Sequence, residues 1–145
     1  MISYQLIRAR YELAVRAALA PEGVVLHYDN VEEEPIPVSG AVAEYAVMTV
    51  SFPSSTEPDL CGGVVFVRGN IQVNIAGPRG AGMRRLEMLA GEVICALMDI
   101  DNYPEPEGVR TGVQGITGPT PVLVGDDPQA FIVVSAPFTA RVELP

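Results

Sequence analysis

Apolar residues recur along this chain with two different periods, and the changes of period mark its elements. Over residues 4–20 (YQLIRARYELAVRAALA) good helix formers dominate and Pro is absent. Leu6, Ala9, Leu13 and Ala17 recur at three- and four-residue steps, which predicts a helix with a narrow, Ala-rich stripe suited to close approach to a sheet or another helix. Ser3 stands where an N-cap belongs, and Pro21 and Gly23 stop the run. Residues 24–28 (VVLHY) are β-branched and aromatic enough for a short strand. In 43–52 (AEYAVMTVSF) the alternation puts Ala46, Met48, Val50 and Phe52 on one face and Tyr45, Thr49 and Ser51 on the other, with Val47 the exception; Pro53 is expected to end this strand. The clearest strand is 64–76, where Val65, Val67, Ile71, Val73 and Ile75 alternate with Arg68, Asn70, Gln72 and Asn74, the pattern of a strand covered on one face. Gly69 falls on the apolar side and predicts a bulge or a close backbone contact. A dozen extended residues span roughly 40 Å, so this strand must bend or outrun its neighbours.

A second helix is predicted over 82–98, with Met83, Leu86, Leu89, Ala90, Val93, Ile94 and Leu97 as a broad stripe and Gly91 as a position for close packing. Asp99 to Pro104 end it, and 104–112 reads as an exposed turn. Val113–Ile116 is expected to form a short strand, interrupted by Gly118, Pro119 and Pro121 before 122–124. The last strand is 130–142, with Pro137 placing part of it at an edge or a bulge. The joins at 53–63 and 125–129 resemble hairpins. The expected fold is therefore α+β: one domain over 1–145, a single mixed, mainly antiparallel sheet with two helices packed on one face.

At 145 residues the chain suits one domain with a core of its own, and a 48% hydrophobic content argues against wholesale disorder. Nine Arg and no Lys oppose eighteen acidic residues, for a net charge of -9, which disfavours nonspecific binding to a phosphate backbone. Cys61 and Cys95 make neither a CxxC pair nor a zinc set, a usage compatible with a reducing compartment. No apolar run approaches the ~20 residues of a membrane-spanning helix, and the basic-then-apolar order of a signal peptide is not seen at the N-terminus.

Motifs with chemical potential are few. His27 is the sole histidine, and strand alternation puts it on the side of Asp29, a conceivable general-base pair for a small hydrolase. The competing reading is a strand-end histidine with ordinary hydrogen bonds. Glu32, Glu33 and Glu34, like Asp126 and Asp127, lack the alternating oxygen spacing of a calcium loop and read as solvated loops. Gly77, Gly80 and Gly82 lie between a strand and a helix, yet GPRGAGMRR has no Lys-Ser/Thr ending and no full GxGxxG. Arg79, Arg84 and Arg85 make this corner locally basic. Cys95, in an apolar helix, is expected in the core, and no serine has the context of a nucleophile elbow. No cofactor or metal is expected, and the chain is expected to be no enzyme.

Three segments together carry a family resemblance: the N-terminal helix starting near residue 3, HYDNVEEEP at 27–35 leading to strand 43–52, and RGNIQVNIAGPRGAGMRRLEMLAGEVICAL at 68–97, with VSAPFTARV at 134–142 as a closing strand. Over nearly its full length the chain resembles the tail terminator (tail completion) proteins of long-tailed bacteriophages. The resemblance implies a subunit of a ring, usually a hexamer. That ring caps the completed tail tube, stops its polymerisation and provides the surface for head attachment. Implied partners are further copies of the chain, the tail tube protein and a head-completion or connector protein, with DNA passing through the ring without specific binding. The implied location is the virion, at the head-proximal end of the tail, after assembly in the host cytoplasm. Exposure and charge make Arg68, Arg79, Arg84, Arg85, Arg110, Glu32, Glu33 and Glu34 interface candidates, and acidic charge facing a pore would disfavour adhesion to passing DNA. The rival readings are a head–tail connector or neck subunit, a small hydrolase using His27, and a soluble ligand-binding module.

Overall fold

A computed structural model describes residues 4–28, 44–55, 64–78, 83–102, 109–112, 115–123 and 129–143. Within these, helix α1 (Tyr4–Leu19) leads through a 3₁₀ turn (Ala20–Glu22) into strand β1 (Val25–Tyr28). Then come β2 (Tyr45–Ser55), β3 (Val64–Pro78), helix α2 (Arg84–Asn102), β4 (Val109–Thr111), β5 (Thr117–Leu123) and β6 (Gln129–Glu143). Gly23 closes the first helical segment in the left-handed region, φ +73°, its N–H donating to the Ala20 carbonyl at 3.0 Å.

One six-stranded sheet runs in the order β1-β2-β3-β6-β4, with β5 also on β6. Among the described strands only β1 and β2 are parallel; every other pairing is antiparallel. The fold is thus α+β with one mixed, mainly antiparallel sheet. β3 and β6 form its spine, pairing without a break from Val64↔Glu143 to Pro78↔Gln129. β3 does outrun β2, whose pairs reach only from Ala76 to Val67.

The alternation of β3 sets the layers. Val67, Ile71, Val73 and Ile75 face the core, joined by Ala46, Met48 and Val50 from β2 and by Ile132, Val134, Ala136 and Phe138 from β6. Helix α2 supplies Leu86, Leu89, Ala90, Val93, Leu97 and Ile100 to that core, as its stripe predicts. Helix α1 does not use the expected stripe. Ile7, Tyr11, Val15 and Leu19 are its buried residues, while Leu6, Leu13 and Ala17 are exposed. The helix is apolar on two faces, and tertiary packing selects the one with larger, β-branched and aromatic side chains.

Three further expectations are corrected. Pro53 does not end β2; a register shift between Ser51 and Ser54 absorbs it and the strand continues. Gly118, Pro119 and Pro121 lie inside β5, which carries its own shift between Thr117 and Thr120 and has Gly118 at φ +107°. Residues 109–111 form strand β4 where a turn was expected. Pro137 meets the expectation of a local edge: β4 pairs with residues 138–140 and β5 with residues up to 135, so its missing N–H falls in the gap between them. Its carbonyl still accepts from Gly112 N at 2.8 Å across that gap. No helix among the described residues is long and apolar enough to cross a membrane.

Candidate protein–protein interaction surfaces

Among the described residues, two broad surfaces remain once the core is closed: the open face of the sheet and the outer side of the helix layer.

Residues paired across strands share a face, so the register describes the open side row by row. At one end lies an apolar row of Val25, Tyr45, Ala76, Phe131 and Val122, of which Val25 and Val122 are exposed. His27, Val47, Asn74, Val133 and Thr120 follow, then Thr49, Gln72, Ser135 and Thr117, then Ser51 and Asn70. Here hydroxyls and amides bond one another: Ser135 Oγ donates to Asn70 Oδ1 at 3.1 Å, Gln72 Nε2 to Asn74 Oδ1 at 3.1 Å, and Ser51 Oγ to the Asn70 carbonyl at 3.3 Å. Arg68, opposite Thr139, stands exposed at the far end. The surface grades from apolar through uncharged polar to cationic within one sheet.

The histidine belongs to this face. Its ring meets Tyr45 edge to face, centroids 5.9 Å apart; Asp29, its expected partner, lies outside the described residues. The neighbouring cleft of about 490 Å³ is lined by Arg16, Ala20, Gly23, Val24, Val25, Leu26 and Tyr28, not by His27.

The arginine candidates separate by environment. Arg85 is a clamp within the chain. Its Nε donates to both Glu44 carboxylate oxygens (3.3 and 3.1 Å), its Nη1 to Glu22 Oε2 at 2.8 Å, and its Nη2 to the Glu22 carbonyl at 3.0 Å. The hydrogen bond to Glu22, then that to Glu44, holds the guanidinium pKa above its ordinary value. This joins the start of α2 to the end of the first helical segment and to the entry of β2, a meeting of three distant segments with no signature in the sequence. Arg84 is exposed at the head of α2. Arg110 is placed in β4 opposite Thr139. Arg79, the triple glutamate Glu32, Glu33 and Glu34, the Asp126–Asp127 pair, Gly80, Gly82, Ser3 and Cys61 lie outside the described residues.

On the helix side, α1 presents Leu6, Ala9 and Leu13, with Leu13 64% exposed. Beside it α2 presents Met88, Gly91, Cys95 and Met98 at three- and four-residue steps. Cys95 is exposed and unoxidised, contrary to the core position expected. Nothing lies within 4 Å of a Cβ built on Gly91, so that glycine serves no close packing within the subunit. Between the helices runs a groove of about 590 Å³, lined by Leu6, Ala9, Arg10, Leu13 and Ala14 from α1 and by Ala96, Asp99 and Ile100 from α2. Among the described residues, Leu6, Leu13, Met88 and Met98 are large apolar side chains exposed on this side.

No family model matches the chain, and no curated protein matches it. Among solved structures 27 chains are similar. One of them, a protein that carries no functional name, is 24% identical with a TM-score of 0.64, the match covering 97% of this chain and 96% of that one. At that identity the likeness shows the fold, end to end.

Proposed function

We propose that this chain is a structural subunit of a long-tailed bacteriophage, acting in a ring that caps the completed tail tube, ends its growth and offers the head a surface to attach to. The observation that carries the reading is the pair of uncommitted surfaces on opposite sides of one thin sheet-and-helix slab. One is graded from apolar to cationic and the other is apolar and helical. A subunit built this way meets other proteins on both sides. The element order supports it: an N-terminal helix, a long strand, a glycine-containing connection, a helix and a closing strand agree with the residues that resemble the tail terminator proteins. The chain works through surfaces and not through a reacting group, its partners being further copies of itself, the tail tube protein and a head-completion or connector protein.

The test is addition of the purified chain to growing tail tubes, followed by negative-stain imaging. A ring at one tube end with elongation arrested is the expected outcome. Tubes that lengthen unchecked in excess chain, with bare ends, would remove the reading. A ring that joins purified connector while tube growth continues would reassign the chain to the neck.

A further inference from the structure

We propose that the corner of the open sheet face around Thr139 is an anion-recognition site that docks a carboxylate-bearing segment of a partner protein. The site gives the open face a partner chemistry and does not depend on the capping reading.

The strand register builds the corner. Thr139 of β6 stands opposite Arg68 of β3 on one side and opposite Arg110 of β4 on the other. Neighbouring strands lie about 4.8 Å apart, so the two arginine positions flank the threonine at one strand spacing each. Two residues further along β6, Arg141 takes the next place on the same face, opposite Phe66. Three of the nine arginines of the chain are thus placed within about 7 Å of one threonine, measured between backbones. One anion, Glu143, follows on this face at the end of β6, opposite Val64. The other described acidic residues lie in the two helices or, as Glu22 and Glu44, are bonded to Arg85. On a chain of net charge -9, the open sheet face therefore carries three cations to one anion among the described residues.

Beside Thr139 the face is recessed. β4 and β5 part at Pro137, and a cleft of about 380 Å³ opens there, lined by Arg68, Gly69, Gly112, Pro137 and Thr139. The two glycines bring no side chains to it. Arg68 is exposed, and its guanidinium has no hydrogen-bond or ion-pair partner among the described residues. A planar guanidinium presents paired N–H donors that match the two oxygens of a carboxylate. The threonine hydroxyl beside it adds a further donor. The exposed Pro137 ring supplies an apolar wall for the methylene groups that carry the carboxylate.

Volume and charge select the ligand. The cleft holds one or two side chains, not a base-paired duplex. Three cations on an acidic body also fall short of the roughly 6–10 phosphate contacts on which duplex binding rests. A free phosphate ion uses the donors and leaves the Pro137 wall bare. A Glu or Asp within a short acidic segment uses both, and the next carboxylates along that segment come within range of the Arg110 and Arg141 positions.

The experiment is a fluorescence-anisotropy titration of a labelled hexaglutamate peptide with the intact chain at low salt, with a hexaglutamine peptide as the uncharged control. The expected result is that the glutamate peptide binds, the glutamine peptide does not, and binding falls as salt is raised. Arg68→Gln weakens binding about fivefold, and Arg68→Gln combined with Arg110→Gln removes it. Arg16→Gln takes the same charge from an exposed helix position and leaves binding unchanged; circular dichroism checks the fold of each variant. No binding by the wild-type chain, or binding that Arg68→Gln leaves intact, would overturn the site. Inorganic phosphate that displaces the peptide at equal anion concentration, or an oligonucleotide that binds through Arg68 more tightly than the peptide, would overturn the docking of a protein segment. A chain that binds the peptide through Arg68 and leaves tube growth unchecked keeps this site and removes the capping reading. A chain that caps tubes without affinity for the peptide does the reverse.

Discussion

At Gly69 the lack of a side chain is what lets the Phe138 ring rest on the central ladder. The two residues are register partners, and a Cβ on Gly69 would fall 2.5 Å from the Ser51 carbonyl oxygen and well inside contact distance of the ring. Phe138 in turn gathers Tyr11 and Phe52, whose ring also meets Tyr4. Gly69→Ala is expected to lower stability by about 1–3 kcal/mol, the usual cost of overpacking a closed core, read as a shifted midpoint in a denaturant titration. Gly91 is the opposite case. It sits in a helix with open space beside it, so Gly91→Ala should raise stability by about 0.5–1 kcal/mol, read in the same titration. In the sequence the two glycines look alike, each an interruption of a periodic run. Strand alternation pointed Gly69 at the core, whereas the α2 stripe of Leu86, Leu89, Val93 and Leu97 leaves Gly91 on the other side of the helix, against the close packing expected of it.

At the scale of elements, α1 is held to the sheet by its buried stripe and by two polar ties. Arg8 Nη2 donates to the Val50 carbonyl at 3.0 Å, and the Tyr11 hydroxyl bonds the buried Thr111 hydroxyl at 2.9 Å. Tyr11→Phe leaves Thr111 buried without that bond and is expected to cost about 1 kcal/mol, seen as a lower melting temperature with the helix content unchanged. Long elements with strong periodicity were legible in the sequence: both helices, β3, β6 and the mixed sheet beneath two helices. The short strands were not. β4 has three residues and no pattern of its own, and it exists because β6 offers it an edge. β5 contains two prolines and a left-handed glycine, which local rules read as breaks, yet on an outer strand with a register shift they cost no interior ladder bond. The two stripes of α1 show the same limit. Periodicity finds an apolar face, and where a helix has two it cannot say which is inside.

For the whole molecule, charge and the Arg85 clamp make separate statements. The folded-state pKa of Arg85 is raised, so its contribution is present below the unfolded value and is lost only as pH climbs through the folded one, beyond the alkaline range the protein meets. The stability difference between wild type and Arg85→Met is therefore expected to stay flat from about pH 7 to pH 10, checked by urea titrations across that window. The net charge of -9 predicts no retardation of duplex DNA in a gel-shift assay at physiological salt, since phosphate binding needs cations that this surface holds sparsely. The candidate surfaces were only partly legible. Arg68 and Arg84 are exposed, as the sequence reading required, but Arg85 is tied at the surface to Glu22 and Glu44, partners far off in the chain, and the apolar outer stripes emerged only once the core had claimed its own residues.

The uninterrupted ladder between β3 and β6 has a consequence for how the protein is made. Val64 waits for Glu143 and Pro78 for Gln129, with α2 and two short strands emerging in between. Until β6 has emerged, β3 exposes one unpaired edge along its whole length, and no shorter chain can set Ile71 and Ile75 beside Ala136 and Ile132. A truncation that removes β6 should thus yield not a smaller domain but an aggregating one, seen as loss of soluble protein on expression.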